Sequence, residues 1–269
     1  MTGRLSLRFA ALGYLAAILL APVGLIFYRT FEHGLHPVWA AITTPNALHA
    51  FWLTVLIALV AVPLNTIFGV LCAIAIVRHR FPGVGVVNAV VDLPLALSPV
   101  VVGLALFLLY GRGAWLGDFF TNHGIRILFA LPSMMLATIF VSLPFVVREV
   151  VPVLREIGTD QEQAASTLGA SGFQTFRRVT LPAIRWAIAY GVVLTTARSL
   201  GEYGAVSVVS GRIAGKTETL TTHVQDAYES FDLAGAYAAS VLLAALAILT
   251  LVAMSVLRPK EGVDGNRGA

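Results

Sequence analysis

Charge is what this 269-residue sequence has least of: Asp, Glu, Lys and Arg together make up 12% of it. A soluble domain carries about 25%. With 58% hydrophobic residues and a mean hydropathy of +0.84, the shortage excludes an ordinary soluble globule. Cysteine is nearly absent too. The single Cys72 lies in an apolar run, which excludes an intramolecular disulfide and disfavours a cysteine-based metal site. No G-x-x-x-x-G-K-[ST] phosphate loop occurs, so the chain is not expected to bind or hydrolyse ATP. No Ser/His/Asp set or carboxylate pair assembles into a catalytic signature, and no catalytic residue is expected. His33 and His36 share a short loop without a third ligand, and no metal site is expected. Gly111-x-Gly113-x3-Gly117 has no βα unit around it and reads as an external turn.

What the sequence does have is long apolar runs, several of the roughly 20 residues that a bilayer-crossing helix needs. Six candidate spans follow, at 7–28, 51–77, 86–110, 127–150, 183–209 and 233–257. The expected fold class is therefore all-α, a polytopic membrane protein with six transmembrane helices. The first run follows Arg4 and Arg8 but has no small-x-small cleavage site, so it reads as a retained anchor. Residues 1–258 form one transmembrane domain with a polar loop at 152–182. The tail 259–269 is polar, contains glycine and is expected to be disordered.

The net charge of +4 is small, and its distribution says more than its sum. No nucleic-acid partner is implied. With the N-terminus in the cytoplasm, Arg4, Arg8, Arg78, Arg80, Arg148, Arg155, Arg177, Arg178, Arg185, Arg258, Lys260 and Arg267 fall inside. Only Arg29, Arg112, Arg126, Arg212 and Lys216 fall outside, and Arg198 sits within a span. That bias places both termini and the 152–182 loop in the cytoplasm. Prolines 63, 94, 99, 132 and 144 lie in or at the ends of spans, where neighbouring groups can satisfy the freed carbonyls. Small residues over Ala234–Ala247 favour close helix packing.

The loop TDQEQAASTLGASGFQTFRRVTLPAIRW, Thr159–Trp186, is the least apolar part of the interior sequence. Thr159-x-x-Glu162 has the form of a capping box, which starts a helix near Asp160. Gly169 is placed to end it in the left-handed conformation. Ser171-x-x-Gln174 repeats the capping pattern, and Phe173 and Phe176 then share one face of a second helix. Pro182 suits the first turn of the span that follows. Small residues at Ala164, Ala165 and Gly169 leave little side chain between this backbone and anything docked on it. Two uses remain open on these grounds: a plug for a groove in another protein, or an amphipathic hairpin resting on the membrane surface.

The pattern Ala164-Ala165-x3-Gly169-x9-Val179-x-Leu181-Pro182 resembles the EAA loop of ABC importer permeases. In that family the loop is the cytoplasmic coupling helix that fits a cleft of the ATPase subunit. The usual glutamate is here Gln163, with Glu162 one residue earlier. The resemblance implies ATPase coupling by Glu162, Gln163, Ala164, Ala165, Leu168, Gly169, Phe173, Phe176, Leu181 and Pro182. A second stretch, TTARSLGEYGAVSVVSGR (Thr195–Arg212), is similar to the R-x-x-G-E-[FY]-G-A motif of sulfate and molybdate permeases. With DLPLALSPVVVG (Asp92–Gly103), YGRGAWLG (Tyr110–Gly117) and KTETL (Lys216–Leu220), it most resembles the W-type subunit of sulfate/thiosulfate importers. That likeness runs from the second span to the sixth. It implies the type I importer permease fold, a second, T-type permease, a dimer of cytoplasmic ATPases carrying ATP and Mg, and an external sulfate-binding protein. A molybdate or tungstate importer is the alternative within the family.

Arg198 and Glu202 are one helical turn apart on one face of the fifth expected span. Charges there must pair or face water. Either the two neutralise each other and fix helix packing, or Arg198 offers a bidentate donor to a tetrahedral oxyanion. Gly201, Tyr203 and Gly204 flank Glu202, and these residues form a candidate pathway or gate with Asp92, Ser98 and Pro99. Asp92 can equally serve a helix N-terminus. Outside transport, a membrane enzyme using Arg198, Glu202 and Asp92, or a scaffold that presents the cytoplasmic loop, would also accommodate these residues.

Overall fold

A computed structural model describes residues 2–32 and 34–257. The expectations for His33 and for the 259–269 tail therefore lie outside the described residues. Every regular element among the described residues is helical. Among the described residues, five helical segments are long and apolar enough to cross a membrane: 8–31, 45–78, 131–156, 172–200 and 233–250. A sixth crossing is available if one bent pair counts as a span, which matches the expected six.

The chain divides into two compact units. The first comprises residues 1–53 and 212–245. It contains α1 (Thr2–Phe31), α2 (Leu35–Ile42), the start of α3 (Pro45–Arg78), and, further along the chain, a ten-residue helix (Leu220–Glu229) and most of a final one (Leu233–Leu257). The small residues expected to pack closely do so: Ala236, Ala238 and Ala239 are buried. The Thr30 hydroxyl donates to the Tyr237 carbonyl, joining α1 to the final helix.

The second unit contains the rest of α3, then α4 (Val84–Ala96), α5 (Pro99–Tyr110), α6 (Trp115–Asn122), α7 (Leu131–Ser142), α8 (Pro144–Glu156), α9 (Asp160–Thr167), α10 (Gly172–Thr175), a π turn (Phe176–Thr180), α11 (Leu181–Leu200) and α12 (Gly204–Val209). Its core is aliphatic: Val70, Ala73 and Ile76 from α3 meet Val146, Val147, Val150, Val151 and Leu154 from α8 and Ile184 from α11. Two glycines let these helices approach. A Cβ on Gly69 would lie 2.7 Å from the Val146 Cβ, and one on Gly191 would lie 2.9 Å from the Val146 Cα. Val146 is thus held between α3 and α11 at the small-residue contacts that membrane helices use in place of a hydrophobic drive.

Three expected spans need correction. The third is not one helix over 86–110, because α4 and α5 meet at a 110° bend. Pro99 has no N–H and disfavours helical geometry at Ser98, and Leu97 and Ser98 are extended there. Asp92 consequently sits in the body of α4 and does not open a span. The fourth span reaches Glu156 and not residue 150, which moves Arg148 from a span end to within a span. The fifth ends at Leu200 with Gly201 as its C-cap, and α12 is a separate short helix.

Candidate functional site: the 159–182 loop and the charged span residues

The loop is built as helix, glycine elbow and second helix. Gly169 takes φ +83°, a left-handed conformation that costs a side chain dearly and glycine little. Ser171 and Gln174 form the expected reciprocal capping box, with bonds of 3.3 and 2.9 Å. Pro182 lies in the first turn of α11, immediately after the π turn. Single π turns recur at functional sites.

The first expected capping box does not form. Thr159 makes no side-chain cap, and its hydroxyl instead accepts from the Gln163 amide at 3.0 Å. Glu162 turns inward, where Arg78 Nε lies 2.9 Å from one carboxylate oxygen. The other oxygen accepts from Arg78 Nη2 at 3.2 Å and from the Thr180 hydroxyl at 2.8 Å. Charge-assisted bonds of this kind are about twice as strong as a neutral cap, so the carboxylate goes to the guanidinium. Arg78 also donates to the Leu154 carbonyl at 2.9 Å and the Gly158 carbonyl at 2.7 Å, orphan acceptors at and past the end of α8. One arginine at the end of α3 therefore holds the end of α8 and the body of α9. A cleft of about 310 Å³ opens beside it, lined by Ile74, Arg78, Glu162, Ser166, Phe176 and Thr180 among others.

With Glu162 turned in, the outward side of the loop presents two large apolar side chains among small and polar ones. Leu168 is 88% exposed and Phe173 71%, while Gln163 and Ala164 are exposed and Ala165 half-buried. Phe173 and Phe176 do not share a face as expected, because Phe176 packs against the aliphatic core.

Of the expected pathway residues, the structure brings together one group. Arg198 Nη2 lies 2.7 Å from a Glu202 carboxylate oxygen. The other oxygen of Glu202 accepts from the Ala205 amide at 2.8 Å, at the start of α12. Glu202 is buried, and α12 packs on α5 at glycine contacts. A Cβ on Gly204 would lie 2.9 Å from Pro99, and one on Gly103 would lie 2.7 Å from the Ala205 carbonyl. Tyr203 and Ser98 are exposed at this junction, and Gly201 is the C-cap of α11. Asp92 is elsewhere, paired bidentately with Arg148 of α8.

The sequence reading missed Arg78, Thr180 and Arg148 as partners, since 84, 18 and 56 residues separate them from the carboxylates they meet. It also missed Asn65, buried in α3, whose amide donates to the Ile139 carbonyl at 3.0 Å and the Ser142 hydroxyl at 2.8 Å. An asparagine inside an apolar span was the available signal. Among the described residues, no group of three His, Cys, Asp or Glu is clustered to hold a metal.

Residues 38–261 match the family described as binding-protein-dependent transport system inner membrane component. The chain belongs to that family. Members of it are similar over nearly the whole length. A sulfate transport system permease protein CysW of Synechococcus elongatus is 50% identical over 96% of this chain and 90% of its own. A sulfate transport system permease protein CysT of Salmonella typhimurium is 36% identical over 93% and 90%. Among solved structures, a bacterial ABC transporter that imports the acidic polysaccharide alginate has a chain with a TM-score of 0.77 at 15% identity, covering 94% of each. That likeness carries the fold, the ABC importer permease fold expected above. A binding-protein-dependent inner membrane component is a transport subunit, which sets aside the membrane-enzyme and scaffold readings.

Proposed function

We propose that this chain is one permease subunit of an ATP-driven sulfate importer, forming half of the pathway and receiving ATP-driven motion through the 159–182 loop. The observation that carries the coupling role is the loop's two-sidedness. Glu162 is anchored inward to Arg78 and Thr180, while Leu168 and Phe173 stand exposed on a glycine-elbowed backbone. A surface segment without a partner has no reason to present two large apolar side chains to solvent. The substrate reading is supported by relatives named sulfate permeases. Two different relatives, CysW and CysT, support a heterodimer of this chain with a T-type permease. The remaining partners are a cytoplasmic ATPase dimer carrying ATP and Mg and an external sulfate-binding protein. Both termini lie in the cytoplasm, as the distribution of Lys and Arg indicates. Thiosulfate is a second cargo.

ATP closure of the partner dimer would favour one orientation of α9 over another, and so bias the spans between outward- and inward-open states. Leu168→Glu tests this in the assembled complex. Because Leu168 is exposed, the variant should assemble with unchanged thermal stability and lose substrate-stimulated ATPase activity by about tenfold or more. Retained stimulation overturns the docking role. Unchanged sulfate uptake in cells lacking this chain, with molybdate uptake lost, would move the assignment to molybdate.

A further inference from the structure

Two surfaces on candidate spans of the second unit differ in kind. On α3 the exposed side chains include Leu59, Ile67, Phe68 and Leu71, all apolar and suited to lipid. On α8 the buried side is aliphatic, but the exposed stripe carries Arg148, Pro152 and Arg155 at helical spacing. Arg148 lies within a candidate span, eight residues or about 12 Å along the axis before the end of the helix. Its side chain is 47% exposed, and its partner Asp92 is 30% exposed. Ionised side chains within spans face bundle interiors or water-filled cavities, not lipid. The α4–α8 face is therefore not a lipid face.

We propose that Arg148 is an anion station on the transport pathway, with Asp92 as the resident carboxylate that a tetrahedral divalent oxyanion displaces. The proposal rests on the importer reading above. The guanidinium fork binds carboxylates and oxyanions by the same paired N–H donors, so the two compete for one site. While Asp92 holds the fork, the guanidinium charge is offset and does not trap a divalent anion. Arg155, two turns further along the same stripe, presents the next exposed cation towards the end of the span. A transport route needs such sites, which bind well enough to admit the ion and weakly enough to release it.

The chain's single cysteine, Cys72, is buried, which makes introduced thiols easy to read. Arg148→Cys, Asp92→Cys and Phe68→Cys, each assembled with its partners in membrane vesicles, are exposed to a water-soluble methanethiosulfonate, and labelling of this chain is measured. Arg148→Cys and Asp92→Cys should label about tenfold faster or more than Phe68→Cys, since a thiol against lipid meets neither water nor reagent. In Asp92→Cys, where Arg148 remains, saturating sulfate should slow labelling by about threefold or more relative to sodium chloride at equal ionic strength. Labelling at both positions as slow as at Phe68→Cys overturns the proposal, as does labelling indifferent to every divalent oxyanion. Protection by molybdate and not sulfate supports the station while overturning the sulfate assignment.

Discussion

Glu162 and Glu202 each close on an arginine, at 2.9 Å and 2.7 Å, but they join different things. Arg198 and Glu202 are one turn apart, and their pair secures the end of α11 and the start of α12, a local junction. Arg78 and Glu162 are 84 residues apart, and theirs ties α9 to the end of α3 and, through Arg78, to the end of α8. The local pair makes one joint rigid. The long-range pair makes the loop part of the transmembrane core, so that a push on α9 is delivered to two spans. Both carboxylates look like functional residues in the sequence, yet both do their work by being turned inward.

The largest effect is expected at the local pair. Glu202→Ala takes the carboxylate from Arg198 and the acceptor from the α12 amide, a loss of the kind that costs about 3–5 kcal/mol at a buried ion pair. Thermal unfolding of the detergent-solubilised complex should drop accordingly, and an unchanged midpoint would show that the junction is not held by this residue.

The long-range pair should fail differently. Arg78→Ala removes charged bonds that are each worth about 1.5–3 kcal/mol, but from one corner of the fold. Amide exchange over 156–168 should rise by about 30-fold or more, with the aliphatic core of α8 little changed, since local opening is set by local contacts. Substrate-stimulated ATPase activity should fall with it, and Arg78→Lys should recover only part because an ammonium lacks the guanidinium fork. Equal exchange increases in α9 and in the α8 core would erase the distinction between the two pairs.

A third carboxylate pair, in the first unit, responds to pH and should have the smallest effect. His223 accompanies the buried Glu218 at 2.8 Å in the segment containing α13 (Leu220–Glu229). The hydrogen bond to Glu218 raises the His223 pKa against the opposing effect of burial, helped by the fields of Glu218, Asp226 and Asp232. A raised folded-state pKa contributes stability that is complete below the unfolded value, about 6.5, and is lost as pH rises through the folded value. Amide exchange in α13 should therefore accelerate as pH rises above about 6.5, beyond its intrinsic pH dependence. Glu218→Gln should flatten that excess, and an excess that survives the substitution would assign the titration to another group.

Much of the 159–182 loop was legible because its signals are local. Gly169 needs only its own φ, Ser171 and Gln174 need only each other, and Pro182 needs only the first turn of α11. The Thr159–Glu162 box was misread for the same reason: the pattern is local, but a cation from α3 prevailed over it. The third span was misread because hydropathy is blind to direction, and Pro99 turned an unbroken apolar run through 110°. The fifth was misread because apolar composition continues past the Gly201 stop, in Ala205, Val206, Val208 and Val209.

By itself the sequence determined that the chain spans a membrane, because low charge and long apolar runs admit no other solvent for so many side chains. It also determined the elbowed form of the loop and put Arg198 and Glu202 within reach of each other, since both depend on contacts within a turn or two of helix; that the two do pair is a finding of the structure. Only the tertiary structure decided that Arg78 holds Glu162, that Arg148 holds Asp92, and that α8 shows charge where α3 shows leucine. Those outcomes depend on which helix faces lie against each other. A desolvated charge takes the nearest opposite charge in space, and nearness in space across 56 or 84 residues is set by the packing of the spans.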